Sequence, residues 1–575
     1  MVLEPSVRGM VQSAGSLGGP TRGEILLYPE SNTLFMEHLN LANGLALLLL
    51  IAALSVLAQR LKVSSPLLML VAGIALAFVP GVPSRALHPD LIFLGLLPPL
   101  LYASGVNMSW RGFRSNLGPI LLLAIGCVIF TASAVAVVAH YVLGLPWVIG
   151  FLLGSIVSPP DAVAPIAFLR DLILPRRLTT ILEGESLIND ATALVIFGFA
   201  LSALATGSFS IASASVKFIV VVCGETGYGI LVGWTMLHLR DRASDTRAEV
   251  LLALATPFIA FWPPRALGGS GVVACVATGL WVSWNGRRLI RPATRLQGYF
   301  IWNLVTWGIE ALVFLLTGLQ ARAVIGRLAG TSWREALAAS LLVTATIIVV
   351  RFTWVYSATY AARVLPGNIR AGPLPDWRQP FIISYAGLRG VVSLAAALSL
   401  PLMIGGADFP YRDLVLFITF AVIAFTLLGL GTTLAPLVGA LGIARTGAVE
   451  AASNKRAERA VRLEGVTAVL DALKPIAGRT TPGTTLAALC KRHADRRAQL
   501  TMTADVSTSE DPVSDTGELQ LRLLEIERAA IMQAYEENRI TDEARRRIER
   551  ELDLEEARER HILANVGILD IESTG

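Results

Sequence analysis

The chain has 575 residues, of which 54% are hydrophobic and 16% charged, and a mean hydropathy of +0.61. Soluble domains carry about a quarter charged residues, so this deficit excludes an ordinary water-soluble protein and points to lipid as the solvent. The net charge of +5 does not imply nucleic acid, because Lys and Arg lie at the ends of apolar runs, where membrane topology places them.

Residues 1–36 are rich in Gly, Ser and Pro and lack the basic start and short apolar core of a secretory signal. They are expected to be a disordered extension, with Met36 an alternative start to Met1. Apolar runs long enough to cross about 30 Å of hydrocarbon then follow at 41–59, 66–81, 91–107, 117–142, 146–168, 179–205, 215–238, 248–263, 268–285, 299–321, 335–361, 380–401 and 411–441. The reading is an all-α polytopic membrane protein with about thirteen transmembrane helices in residues 37–444. The short alternating segments of a β-barrel are not visible.

With the N-terminus outside, the inward loops carry about seventeen Lys and Arg and the outward loops about seven, the sign that the positive-inside rule requires. An odd number of spans leaves the tail, 445–575, in the cytoplasm. There, 453–475 and 518–562 read as charged amphipathic helices, and 478–517, with TTPGTT and STSEDPVSDTGE, reads as a linker. Cys127, Cys223, Cys275 and Cys490 form no metal or disulfide spacing, and no cofactor is expected.

Ionisable side chains within a span are costly and therefore functional candidates. Two neighbouring segments concentrate them. In Ser158-Pro159-Pro160-Asp161-Ala162-Val163-Ala164-Pro165, three prolines within seven residues cannot sit in a regular helix, since each removes an amide donor and crowds the preceding turn. A helix broken inside a membrane exposes carbonyls and helix ends that coordinate ions, and Asp161 stands at this break. In Glu183-Gly184-Glu185-Ser186-Leu187-Ile188-Asn189-Asp190, Glu185 and Asn189 are four apart, as are Ser186 and Asp190, so each pair shares a stripe of one helix. All these groups offer oxygen, which suits hard cations rather than transition metals. A carboxylate taken out of water also binds a proton more readily, so a proton and a metal ion can compete for the same oxygens.

A third segment, Tyr385-Ala386-Gly387-Leu388-Arg389-Gly390-Val391, sets one Arg between glycines at the start of an apolar helix. A buried Arg requires a carboxylate. Glu185 is the expected partner, which leaves Asp161 and Asp190 free for an ion. Glu310 and Arg351, in neighbouring spans, are expected to form a second buried pair. Glu225 is expected to face a cavity, and His140 and His238 to be structural groups near span ends.

At SPPDAVAP, LEGESLINDATALV and SYAGLRGVVSLA, in that order, the chain resembles the monovalent cation/proton antiporter superfamily, in its sodium/proton exchanger branch with an Asn-Asp motif. GGSGVVACVATGL and WGIEALVFLLTGL also look like family segments, and the resemblance covers roughly 40–442. It implies inverted repeats with two unwound helices crossing at mid-membrane, a core domain and a dimerisation domain, and a homodimer. Carried over by position, Asp190 is the principal ion and proton carboxylate, Asp161 supports it, Ser186 contributes a hydroxyl, and the Pro160 carbonyl faces the ion. Glu185 and Arg389 make the structural pair, and Asn189 fixes the unwound helix. The implied activity is exchange of Na+, with Li+ or K+ as alternatives, for H+ across the plasma membrane, electroneutrally and by alternating access. The transported cation, held by Asp161, Ser186 and Asp190, is the only metal implied.

The chain departs from the family in two places: Pro160-Asp161-Ala162 stands where many relatives have Thr-Asp-Pro, and FWPPRALGG lacks the acidic residue expected before GGSG. Competing readings are a K+/H+ antiporter, a non-transporting sensor, a cation channel and an intramembrane enzyme. A channel would need repeated filter loops or charged rings, and neither a Ser/His pair in the spans nor HExxH supports an enzyme.

Overall fold

The computed structural model describes residues 41–80, 90–170, 172–207, 211–243, 245–328, 332–361, 376–404, 407–477, 485–502, 512–537 and 542–566. The expected N-terminal extension, 1–36, lies outside them. The chain divides into two units, 1–57 and 58–575. In the first unit the described residues are the beginning of one apolar helix, α1 (Leu41–Leu61).

The apolar runs of the second unit become α2 (Ser65–Ala77), α3 (Leu91–Asn107), α4 (Leu117–Tyr141), α5 (Trp147–Val157), α6 (Val163–Phe168) and α7 (Arg176–Thr206). They continue as α8 (Ile211–Arg242), α9 (Thr246–Ala266), α10 (Val272–Leu289), α11 (Pro292–Leu319) and α12 (Trp333–Ala361). The last membrane elements are α13 (Arg378–Tyr385), α14 (Val391–Leu398) and α15 (Arg412–Ala440). Seven helices among the described residues are long and apolar enough to span, and four shorter apolar helices accompany them. Each of the thirteen expected runs corresponds to one helix, except two that are broken into α5–α6 and α13–α14. Two-residue strands, Met403–Ile404 and Ala407–Asp408, pair antiparallel between α14 and α15. They are the only strands among the described residues.

Lipid supplies no hydrophobic force between helices, so close contact relies on small residues. Gly150 and Gly154 bring α5 against the backbone of Ala132 and Ala136 on α4, and Gly73 lies against Leu315 and Gly318 where α2 meets α11. A turn of π-helix at Leu122–Cys127 interrupts α4. The carbonyl of Leu122 there accepts a hydrogen bond from the indole Nε1 of Trp354 at 3.0 Å, as expected where a π-bulge disturbs the helical ladder.

Beyond α15 the chain forms α16 (Ile443–Ala477), α17 (Thr485–Met502), α18 (Pro512–Glu536) and α19 (Asp542–Val566). The expected linker, 478–517, is therefore largely helical: α17 occupies 485–502, and α18 begins at Pro512, a residue suited to the first helical position. All of TTPGTT but Thr485, and all of STSEDP but Pro512, lie outside the described residues.

Candidate functional site

Where α5 ends, the prolines have their expected effect. The helix stops at Val157 and resumes as α6 at Val163, leaving 158–162 without regular structure. The second break, 386–390, separates α13 from α14. The two breaks are joined directly: the Asp161 amide donates to the carbonyl of Leu388 at 2.8 Å. Backbone groups freed by both interruptions are thus satisfied by each other, as a buried polar backbone requires.

The continuous helix α7 runs past the first break and secures it with two side chains. Asn189 Nδ2 donates to the Pro160 carbonyl at 2.6 Å, and the Ser186 hydroxyl accepts from the Ala162 amide at 3.3 Å. Asp161 Oδ1 accepts from the Val163 amide at 2.9 Å and so caps the start of α6. The structure therefore brings Pro160, Asp161, Ser186 and Asn189 together. It also places a protein donor on the Pro160 carbonyl, the oxygen expected to face an ion.

The buried Arg pairing differs from the expectation. Glu185, 1% exposed, is held by Arg351 and not by Arg389: Nη1 and Nη2 of Arg351 reach its two carboxylate oxygens at 2.6 and 2.9 Å. Arg351 also donates from Nε and Nη2 to the Ile383 carbonyl at 3.2 and 3.0 Å. This bidentate fork commits Arg351 to Glu185, and the expected Glu310–Arg351 pair is absent. Glu310 makes no ion pair among the described residues, but it lies within electrostatic reach of Asp161. Arg389 donates from Nη1 to the carbonyl of Ser158 at 2.6 Å, at the C-terminal end of α5, where the helix dipole favours a cation. Its own amide donates to the Thr426 hydroxyl at 3.2 Å, and its Nε is buried without a partner.

The glycines of the second break explain this exchange of partners. A side chain at Gly387 would meet Arg351 Cδ and Nε, and one at Gly390 would meet the Asp161 carboxylate. Each glycine thus makes room for a charged group from another segment.

Asp190 remains. It is 9% exposed, on the same stripe of α7 as Ser186, and within electrostatic reach of Asp161. It has no hydrogen-bond partner among the described residues. Next to it in sequence, Asn189 Oδ1 is buried without a donor. The site therefore has a free carboxylate, a half-engaged carboxylate, an orphaned amide oxygen and a hydroxyl, all oxygen donors with no neutralising cation bound to Asp190. Such a set suits a small hard cation or a proton.

Elsewhere, Glu225 has partners of its own. Its carboxylate accepts from the amides of Ser270 and Gly271 at 2.5 and 3.0 Å and from the Ser270 hydroxyl at 2.9 Å, capping the start of α10. It supplies, from α8, the acidic group that the stretch before GGSG lacks. A second buried carboxylate, Glu249 of α9, accepts from the Thr294 hydroxyl of α11 and lies 3.8 Å from the guanidinium of Arg240 on α8. Neither arrangement was legible, because each joins residues at least nine positions apart across helix termini. The ring of His140 stacks on Trp147 and its Nδ1 lies 2.9 Å from the Leu145 carbonyl, while Nδ1 of His238 lies 2.8 Å from the Trp234 carbonyl one turn earlier in α8.

Residues 46–440 match the family model described as sodium/hydrogen exchanger, transmembrane. An uncharacterized Na+/H+ exchanger of Mycobacterium tuberculosis is 33% identical over 512 residues, covering 87% of this chain and 93% of that relative. The Na+/H+ antiporter ApNhaP of Aphanothece halophytica is 31% identical over 412 residues, covering 71% of this chain and 75% of its own length. Among solved structures, the sodium proton antiporter MjNhaP1 of Methanocaldococcus jannaschii superposes with a TM-score of 0.56 at 19% identity, over 70% of this chain and 97% of that one. That similarity concerns the fold.

Proposed function

The chain belongs to the sodium/hydrogen exchanger family, and we propose that it is a secondary antiporter exchanging Na+ for H+ with Asp190 as the carboxylate that binds each in turn. The observation that carries the assignment is the isolation of Asp190: it is buried, without a donor among the described residues, in a crossing where Glu185 and Asp161 have partners. A carboxylate in that setting is stable only with a proton or a cation on it, and alternation between the two is antiport.

Deprotonated Asp190 takes the cation, with Asp161 and the Ser186 hydroxyl as further oxygen donors. Asp161 has Oδ2 available once Oδ1 has capped α6. Because the Pro160 carbonyl already accepts from Asn189, its part is to hold the two broken arms together; any contact with the ion is secondary. The Glu185–Arg351 pair and the bond from Arg389 to Ser158 keep α7, α12 and the two breaks as one body. Movement of that body against the remaining helices exposes Asp190 to each side in turn, and a proton then displaces the ion. One carboxylate holding one charge of either kind fits an electroneutral, one-for-one exchange.

The charge bias of the loops supports an orientation in the bacterial inner membrane with the N-terminus outside and α16 to α19 in the cytoplasm. A homodimer follows from the family resemblance. The assignment is tested by cation-driven proton flux in everted vesicles or proteoliposomes, comparing the native chain with Asp190→Asn across Na+, Li+ and K+. Flux that survives the substitution would overturn it.

A further inference from the structure

The helix that carries the site begins without a cap of its own. Pro175 precedes α7 and no side chain at that position accepts from the first turn. The Leu178 amide bonds back to the Pro175 carbonyl at 3.0 Å, but the amides of Arg176 and Arg177 and the partial positive charge of the helix start need an acceptor from elsewhere. An acceptor arrives from the other end of the sequence: the Arg176 amide donates to Oε2 of Glu450 at 3.3 Å.

Glu450 lies two turns into α16. A left-handed turn at Gly442, φ +69°, redirects the chain immediately after α15. Three residues before Glu450, Gly447 is buried against the backbone of Ile173 and Leu174, where a Cβ would collide with the Ile173 carbonyl. Ile443 joins the same apolar cluster as Leu174. The first two turns of α16 are thus seated on the segment that links the broken arm α6 to α7. They touch it through a close backbone contact that only glycine permits, and through a charged cap.

We propose that these two turns are a positioning element of the transport site, with Glu450 and Gly447 fixing where α7 starts. The proposal rests on the antiport reading and extends it, because it makes the beginning of the tail part of the moving body. A helix transmits displacement along its axis, and Asp190 is about 21 Å, four turns, from Arg176. Shifting or loosening the start of α7 displaces Ser186, Asn189 and Asp190 against the first break.

The test uses the full-length chain in proteoliposomes, with three variants normalised to protein reconstituted. Glu450→Ala should raise the apparent KM for Na+ about fivefold, the equilibrium effect of losing one helix cap, with little change in maximal rate. Gly447→Leu should raise it about tenfold or more, since the clash is with backbone. Glu458→Gln, whose partner Arg462 lies one turn along the same helix, should behave as the native chain. Amide hydrogen exchange over 176–180 is followed in parallel and should quicken about fivefold in Glu450→Ala. Native KM values in both Glu450→Ala and Gly447→Leu, or a loss confined to the amount of protein in the membrane, would overturn the proposal. If the native chain moves no protons with any cation, it is the antiport reading that fails. Hydrogen exchange then decides the positioning role alone, and unchanged protection at 176–180 would overturn it.

Discussion

Two regions of this molecule bury carboxylates equally well, and only one of them has the makings of an ion site. Across α8 to α11, Glu225 and Glu249 are 5% and 1% exposed; Glu225 is surrounded by the donors of Ser270 and Gly271, and Glu249 takes a hydrogen bond from Thr294 with the Arg240 guanidinium 3.8 Å away, its Oε1 left without a hydrogen bond. At the crossing of α5–α6 and α13–α14 with α7, Glu185 is held by two nitrogens of Arg351, but Asp190 has no hydrogen-bond or ion-pair partner among the described residues. Burial raises the cost of a charge; the donors around it decide whether that charge is permanent. A carboxylate supplied with amides or a guanidinium is a fixed anion that ties helices together. One left without donors must draw its neutralising charge from whatever passes, and that is the property a carrier needs.

The sharpest way to break this comparison is to remove the free carboxylate and then a satisfied one. Asp190→Asn should abolish cation-driven proton flux, by more than about a hundredfold, while protein still accumulates in the membrane. Arg351→Met should act in the opposite sense: it leaves Glu185 buried and unpaired, a loss of about 3–5 kcal/mol, seen as loss of folded protein in a thermal-shift or detergent-stability assay. Adding Glu185→Leu should restore most of the stability, because the cost lies in the orphaned charge. If Arg351→Met is as stable as the native chain, the pair does not hold the core.

Proton and cation competing for one carboxylate also fixes a pH dependence. Below the pH at which Asp190 is half protonated, each further unit of acid should raise the apparent KM for Na+ about tenfold, with a linkage slope of one proton. A slope near two would mean that Asp161 titrates with Asp190, and would replace the single-carboxylate account with a coupled pair. A smaller effect is expected in the region of fixed anions: Glu225→Gln weakens charge-assisted bonds to the start of α10 and should cost about 1–3 kcal/mol of stability without changing the KM for Na+.

What the sequence revealed follows the same division. The first break was legible because Pro159 and Pro160 remove two consecutive amide donors, although proline alone does not decide it, since Pro165 lies within α6 and α9 carries Pro257, Pro263 and Pro264; the α7 stripe was legible because Ser186 and Asp190 are four apart. The partner of Glu185 was not. Arg351 and Arg389 are both lone guanidiniums in apolar surroundings, and the choice between them depends on how α12 and the second break sit against α7, which is a matter of register between helices. Gly387 and Gly390 did not decide it, since glycine records a close approach without saying what approaches. The cap on α10 and the seat of α16 escaped for a similar reason: Glu225 and Ser270 are 45 positions apart, Arg176 and Glu450 274.

Glu310 tests whether the two regions are really separate. Its helix, α11, begins in the fixed-anion region, where Thr294 donates to Glu249, and reaches far enough for Glu310 to act electrostatically on Asp161. Among the described residues it has no cation of its own, so in the terms of the comparison it belongs with Asp190. Its influence on Asp161 is one of charge, with no hydrogen bond between them among the described residues. Neutralising it in Glu310→Gln should weaken cation binding by about 0.5–1 kcal/mol, as expected for charges separated through an effective dielectric near 20. The apparent KM for Na+ would then rise about two- to fivefold with the maximal rate retained. Complete loss of exchange would place Glu310 among the ligands and enlarge the site from two carboxylates to three. No change at all would assign it to the fixed anions, with a partner that the carrier acquires in another state.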